Sequence, residues 1–478
     1  MSTSVQAKRL TMRLRFPSCI ALLGFGVIFG GHASELRAQT IRDALASAYV
    51  YNPQLNAARA ALRVTNESVP QALAGYRPTL SLNADLGAQH NINTTGRGSQ
   101  TTAGAGRQET NQTPAGYSFT VNQTLFNGFS TDNQVRQAES LVRAQRETLR
   151  TAEQSIMLLA VTAFMDVVRD QAILKLQKNN VVVLTEQLRQ TRDRFKVGEV
   201  TRTDVAQAES QLQGGISQVS AAEAALIASK ANYRQQIGQE AGNLNPQTNV
   251  EQTLPKSVAA AIEAGATDHP QIRAAAYNVD SAAFAIQIAE AALYPTITVG
   301  GTASTGFNRA IGNNTSESYS VVGRVTVPLY EAGVAPSRVR QAKETLGQNR
   351  IQVDVVRDQI RALVATQWGN LESQRAQVNA SQAQIKAAKI AFDSIREEAR
   401  VGQRTILDVL NTQQTLLNAQ VALVRSQHDR TVAAYTLLGA IGRLSAEQLQ
   451  LAVALHDPIQ HYEQVRDRWH GLRTPSGE

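Results

Sequence analysis

A twelve-residue stretch that occurs twice, Arg194-Phe-Lys-Val-Gly-Glu-Val-Thr-Arg-Thr-Asp-Val205 and Glu398-Ala-Arg-Val-Gly-Gln-Arg-Thr-Ile-Leu-Asp-Val409, limits what this chain can fold into. In each copy Val-Gly ends one helix, the glycine supplying a positive φ. A Thr then opens the next helix, with an Asp in its first turn facing the positive end of the helix dipole. Each copy therefore folds a long helix back on itself. The copies belong to a wider duplication. Asn52-Pro-Gln-Leu55 matches His269-Pro-Gln-Ile272 at an offset of 217, and Tyr76-Arg-Pro78 falls on Leu293-Tyr-Pro295. From Val135-Arg-Gln-Ala138 on Val339-Arg-Gln-Ala342 the offset is 204, and it holds through Ile237-Gly238 on Ile441-Gly442. One segment between residues 78 and 121 is therefore 13 residues longer in the first half, which marks the loose, exposed end of the fold.

Between residues 129 and 197 a 3-4 spacing runs through Val135, Ala138, Val142, Leu149, Ile156, Leu159 and Ala163. After one extra four-residue step to Val167 it resumes through Asp170, Leu184, Leu188, Thr191 and Phe195. Residues 333–401 repeat the seam through Val339, Val356, Ile360 and Leu363, with the extra step at the same place, from Gln367 to Leu371. This predicts coiled-coil packing with one stutter in each copy. Many seam positions are Ala, Gln, Ser or Thr, which suits a curved wall better than a dense bundle. Shorter helices at about 41–74 and 203–237, and again at 258–292 and 407–441, are half as long. Stacked end to end they would match one strut at 1.5 Å per residue.

A period of two appears between each upper helix and its strut. Leu80, Leu82, Ala84 and Leu86 alternate with Thr79, Ser81, Asn83 and Asp85, and Tyr117, Phe119, Val121 and Leu125 alternate with polar residues. Ile297, Val299, Ala303 and Phe307 form a third set; Tyr319, Val321, Val325, Val327 and Leu329 form a fourth. Strands are predicted at about 77–89, 116–126, 295–307 and 318–330, each the length of a tilted membrane-spanning strand. Tyr76, Phe126, Tyr294 and Tyr330 sit at their helix ends, Tyr117, Phe119, Phe307 and Tyr319 towards the loops, as two interfacial girdles would. Segments 89–116 and 308–317 are polar and read as loops at the outer mouth. Residues 239–257 link the two repeats (34–238 and 258–442), and 443–478 form a polar tail with a short helix.

Residues 1–33 read as a secretory signal: Lys8, Arg9, Arg13 and Arg15 precede a short apolar core, and Gly31-His-Ala33 offers a cleavage site before Ser34. The one cysteine, Cys19, begins that core rather than following it, so it does not mark lipidation, and the mature chain has no thiol. Removing four bases and no acids takes the formal charge from +8 to +4, which weakens any case for nucleic acid. Aromatics at 5% and 13 prolines fit long thin helices better than two or three ordinary domains. The sequence has no Walker loop, His-Glu-x-x-His or Cys cluster. His456, His461 and His470 are too widely spaced for a metal site, so no enzyme chemistry and no cofactor are expected.

Four strands cannot close a membrane barrel, and an open edge cannot sit in hydrocarbon. A soluble sandwich would have too little apolar face. Two copies would supply eight strands and an interior filled by side chains; three would supply twelve and room for a conduit. The fold class is thus mainly α with a small transmembrane β part.

The order helix, strand, loop, strand, long helix, Val-Gly turn and return helix, given twice behind a signal, resembles the TolC outer-membrane efflux protein family over residues 40–442. The landmarks are Tyr76-Arg-Pro78, Leu125-Phe-Asn-Gly128, Leu329-Tyr-Glu-Ala-Gly333 and Val401-Gly-Gln-Arg-Thr-Ile-Leu-Asp-Val-Leu410. The resemblance implies a homotrimer with a 12-stranded β-barrel and a periplasmic α-barrel tunnel. It further implies a periplasmic adaptor and an inner-membrane transporter as partners, in efflux or type I secretion. It places a polar periplasmic gate at Thr203 and Asp204 and at Arg404 and Asp408, with the constriction formed by Asp408 and, one turn on, Asn411. Asn in place of a second acid implies a weaker negative ring, and a family tyrosine link falls on Ala399. Tips gripped by the adaptor fall on Val197, Gly198, Val401 and Gly402. The other reading of both aspartates is simple support of helix N-termini, with Arg404, four residues from Asp408, favouring the gate. A periplasmic coiled-coil adaptor is the alternative function, but it would carry one helical hairpin; a passive porin would not need so much helical strut.

Overall fold

A computed structural model describes residues 39–94, 107–309 and 314–475; the expected signal at 1–33 and parts of both polar loops lie outside the described residues. The first half gives β1 (Gln39–Thr40), α1 (Ile41–Tyr51), α2 (Pro53–Asn66), α3 (Ser68–Leu73), β2 (Thr79–Leu86), β3 (Gln89–Thr94), β4 (Arg107–Gln112), β5 (Ala115–Asn127), α4 (Ser130–Lys196) and α5 (Arg202–Ile237). After β6 (Leu244–Asn245), which pairs in parallel with β1, the second half gives α6 (Val258–Asp268), α7 (Pro270–Ala291), β7 (Thr296–Phe307), β8 (Thr315–Thr326), α8 (Val334–Arg400) and α9 (Ile406–Ala440). The tail carries α10 (Gln460–Val465). Both struts, α4 and α8, have 67 residues, about 100 Å each.

The helices expected at 41–74 and 258–292 are not continuous. Each breaks at the residue before a proline, Asn52 (φ −65°, ψ 121°) and His269 (φ −66°, ψ 127°), because the proline ring drives its predecessor out of the helical region. Asn52 Oδ1 and His269 Nδ1 then cap the next helix by accepting from the Gln54 and Gln271 amides. Burial holds the His269 imidazole down at about 4, so Nδ1 remains an acceptor at neutral pH. A second interruption, at Glu67, precedes Pro70, whose ring would clash with the carbonyl four residues back.

These breaks receive the ends of the return helices. Asn52 Nδ2 donates to the Gln236 carbonyl (2.9 Å), and Gly238 (φ 82°) ends α5 against Tyr51. Gly442 (φ 81°) ends α9 against His269 and Pro270, where a Cβ would lie 3.1 Å from His269 Cα. Half-length helices therefore stack end to end beside each strut, through the X-Pro breaks.

The main core forms a girdle at this junction. Ile41, Leu45 and Ala48 of α1, Tyr233 and Ile237 of α5, Leu244 and Val250 of the linker, and Leu437 and Leu438 of α9 form one continuous core with the middle of α4. There α4 is buried almost all round, through Met157, Ala160, Val161, Phe164 and Val167. The girdle surrounds the stutter and corrects the predicted seam. Leu159 and Leu363, equivalent across the duplication, are exposed (46% and 41%), while their neighbours Ala160 and Val364 are fully buried. The four-residue step shifts the phase, so the seam moves to the next residue. Phe195, beside the turn, is likewise exposed in the single chain.

At the other end lies one antiparallel sheet in the order β2-β5-β7-β8. Its register sets Leu80, Leu82 and Ala84 opposite Val121, Phe119 and Tyr117, and these in turn opposite Gly301, Ala303 and Thr305. Val321 and Tyr319 continue the row on β8. Leu82 (71%), Val321 (81%) and Tyr319 (76%) are exposed. The opposite face is a ladder of Thr, Ser and Asn, including Ser81, Thr120, Thr302 and Ser320. A bulge between Thr124 and Phe126 makes Leu125 the extra residue and sets Phe126 opposite Ile297.

Two expectations about the sheet need correction. Segment 89–116 is not all loop: β3 and β4 pair Gln89–Thr94 with Arg107–Gln112 and prolong the β2–β5 hairpin. The fourth strand ends at Thr326, short of Val327 and Leu329, because Pro328 has no amide to give the ladder. Each strut then starts on two consecutive left-handed residues, Gly128-Phe129 (φ 66° and 64°) and Ala332-Gly333 (φ 50° and 81°), so the glycine changes place between halves.

Candidate functional site

The two helix turns far from the sheet are built alike. Gly198 (φ 82°) donates its amide to Phe195 O and Glu199 to Arg194 O; Gly402 (φ 81°) donates to Ala399 O and Gln403 to Glu398 O. This is the Schellman closure, which satisfies the last carbonyls of each strut. Val197 and Val401 stand out from it, 71% and 72% exposed, and no atom lies within 4 Å of where a Cβ on Gly198 or Gly402 would sit. Both tips are bare and open.

Each return helix starts with a capping box. Asp204 Oδ2 accepts from the Thr201 amide (2.8 Å) and hydroxyl (2.7 Å), and Thr201 Oγ1 accepts from the Asp204 amide. Asp408 and Thr405 repeat this, with 3.1 Å and 2.9 Å to the carboxylate. The Thr405 hydroxyl and amide, in that order, hold the Asp408 carboxyl below its usual range. Both aspartates therefore support helix N-termini in this chain, and both are half-exposed. Thr203 is exposed in the first turn of α5, two residues past the cap, and Asn411 is exposed one turn into α9.

Arg404 does not pair with Asp408 as its spacing suggested. Its Nε donates to Glu398 Oε2 at 2.9 Å, across the turn. In the first half Arg194 Nε donates to Glu199 Oε2 at 3.0 Å. Arg194 and Glu398 are equivalent positions, so both turns are strapped by an ion pair with the charges exchanged. These pairs are exposed and contribute mainly geometry.

The hairpins are joined just behind the tips. Leu184, Leu188 and Ala208 of the first bury Ile406 and Leu410 of the second, with Val200, Val205 and Leu212 against them. Next comes a buried amide pair, Gln413 Nε2 to Asn180 Oδ1 at 2.8 Å. A groove of about 770 Å³ follows between α4, α5 and α9, lined by Gln177, Gln211, Gln218, Gln414 and Asn418 among others.

Near mid-strut, His428 of α9 bridges Asp166 of α4 (Nε2 to Oδ1, 3.0 Å) and Asp429 (Nδ1 to Oδ1, 2.8 Å). Arg169 holds Asp166 and chelates Asp170. Burial alone would lower the His428 pKa, but the bonds to Asp166 and Asp429 outweigh it and hold it above its ordinary value. Glu251 of the linker takes Arg430 in a two-point contact (2.7 and 2.9 Å) and Arg375 at 3.1 Å, tying α9 and α8 to the connection. These networks join residues far apart in the sequence; Asp166, Arg169 and Asp170 are the members that share one stretch of helix.

At the helix end of the sheet Tyr76 (51%), Tyr294 (51%) and Tyr330 (88%) are exposed, and Phe126 meets Phe129 edge-on at 5.3 Å. Towards the mouth Tyr117 and Phe307 lie 6.4 Å apart. Among the described residues no helix is long and apolar enough to cross a membrane.

Twin helical struts ending in bare turns, and carrying an open-edged amphipathic sheet at the opposite end, define a protomer of an outer-membrane channel. The chain belongs to the outer membrane efflux protein family, whose model matches residues 44–239 and 262–443, one segment in each half. It is 39% identical to the outer membrane efflux protein BepC of Brucella suis biovar 1 (strain 1330) over 473 residues, covering 97% of this chain and 99% of that one. It is 25% identical to the outer membrane protein TolC of Escherichia coli (strain K12) over 455 residues, covering 91% and 88%. The fold is similar to the Campylobacter jejuni CmeC outer membrane channel, with a TM-score of 0.69 at 15% identity, covering 89% of each chain. The protein is thus an outer-membrane efflux channel. The single-hairpin adaptor alternative does not fit a match that spans both halves.

Proposed function

We propose that three copies of this chain form the outer-membrane channel-tunnel of a tripartite efflux or type I secretion system, receiving substrate from an inner-membrane transporter through a periplasmic adaptor. One juxtaposition carries the reading: an apolar-faced sheet whose edges, β2 and β8, are unpaired among the described residues lies at one end, and two similarly built open turns lie at the other. β2 and β8 run in opposite directions, since each neighbour in the four-stranded order is antiparallel. One copy's β8 can therefore pair with the next copy's β2, and three copies make an antiparallel ring of twelve. The apolar row faces lipid, with Tyr76, Phe126, Tyr294 and Tyr330 at the periplasmic interface. The Thr, Ser and Asn face lines the pore.

At the tips Val197, Gly198, Val401 and Gly402 are the surface the adaptor grips. Asp408, with Asn411 a turn further, forms the constriction. Three such carboxylates around an axis repel one another and attract cations. Arg404, Asp204 and Thr203 complete the polar rim.

The test is Gly402→Trp, alone and with Gly198→Trp. A Cβ at either glycine meets nothing within 4 Å, so the first cost is the positive φ, about 1–2 kcal/mol. Export and adaptor cross-linking are lost while the assembled channel still reaches the outer membrane. Gly402→Ala carries the same backbone strain without bulk and keeps export. Wild-type export and cross-linking in the Trp variants would contradict the assignment.

A further inference from the structure

After α9 the tail climbs the first half towards the sheet. The Ala446 amide donates to Glu153 (2.7 Å), the His456 amide to Tyr49 Oη (2.9 Å), and Tyr462 Oη to Glu139 (3.2 Å) with Arg146 over its ring. Glu139 lies 14 residues nearer the sheet end of α4 than Glu153. The last contact involves Arg77, whose Nη1 reaches the Arg468 carbonyl (3.5 Å) and whose guanidinium lies 5.5 Å from the centre of the Trp469 ring. Arg77 follows Tyr76 and stands two residues before β2. Trp469 is therefore held where the sheet leaves the helices. It is 67% exposed, and Leu472 beyond it is wholly exposed.

We propose that residues 466–473 are a second membrane anchor, lying on the phospholipid headgroup layer at the helical end of the sheet. Trp469 and Leu472 enter the acyl boundary and Arg468 and Arg473 meet lipid phosphates. An indole pinned by a guanidinium at strand-base level, with a bare leucine and arginines beside it, suits the boundary between headgroup and acyl chain. The apolar row of the sheet begins with Leu80, three residues beyond Arg77, so the tail ends at the level where that row starts. The inference rests on the placement of that sheet in lipid.

The chain has two tryptophans, Trp368 and Trp469, so full-length Trp368→Phe reports on Trp469 alone. In vesicles of phosphatidylcholine brominated high on the acyl chain, its emission falls by about half relative to unbrominated vesicles. Quenching by aqueous acrylamide but not by bromolipid would place Trp469 in water and overturn the proposal. Quenching by neither would place it under a neighbouring chain and also overturn it. Should Trp368→Phe fail to assemble, a nitroxide on Trp469→Cys reads the same depth from oxygen against aqueous nickel accessibility. A nitroxide on Leu82→Cys provides the separation. Lipid exposure at 82 without it at 469 sinks the anchor alone, whereas absence at both also removes the sheet from the bilayer.

Discussion

Asp204 and Asp408 show how one residue type can be read correctly and still be incomplete. A Thr three residues before an Asp is a cap signature, and both pairs form it. The partner of Arg404 was not legible, because i,i+4 spacing brings side chains together only within a helix. Arg404 stands before α9 starts, and the Schellman turn brings it to Glu398 instead. His428 was silent for another reason: its partner Asp166 is 262 positions away. Its pKa is raised on folding, so the bridge stabilises fully below the ordinary histidine range and is lost as pH rises through the folded value. His428→Ala should cost about 1.5–3 kcal/mol where the imidazole is charged. Thermal unfolding at pH 6 and pH 8 checks this: the gap between wild type and variant narrows at the higher pH. A gap that widens would assign the bridge to the neutral ring.

Among elements, the struts were the most readable. Their bounds follow from Gly128, Gly198, Gly333 and Gly402, where the backbone turns left-handed at each end. The upper helices were less so. Asn52-Pro53 and His269-Pro270 stand out as repeat landmarks, yet the apolar period runs through them and hides the breaks. β3 and β4 carry no apolar alternation, Ile92 being their one apolar residue, and the backbone ladder is what joins them. Asn52 is 2% exposed and serves two elements, capping α2 and closing the end of α5. Asn52→Ala should destabilise by about 1–3 kcal/mol, the cost of a lost cap and of the half-buried Gln236 carbonyl left without its donor. Hydrogen exchange would show it as faster exchange at the Gln54 and Leu55 amides and at the last turn of α5. Unchanged protection at both sites would mean that the junction is held by the girdle alone.

At the scale of the whole molecule, duplication and assembly are linked. Each half supplies one strut, one stacked pair and one pair of main-sheet strands, and neither half closes anything by itself. The apolar alternation showed which face seeks lipid. It could not show where the tail goes, because the tail's contacts with Glu153, Tyr49, Glu139 and Arg77 are single polar or stacking interactions without period. The central claim is that the β2 and β8 edges close on sister chains to make twelve strands. Native mass spectrometry of the mature protein, extracted from outer membranes in mild detergent, tests it most directly. Three chains per particle is the predicted result; a monomer, or a dimer supplying eight strands, would contradict it.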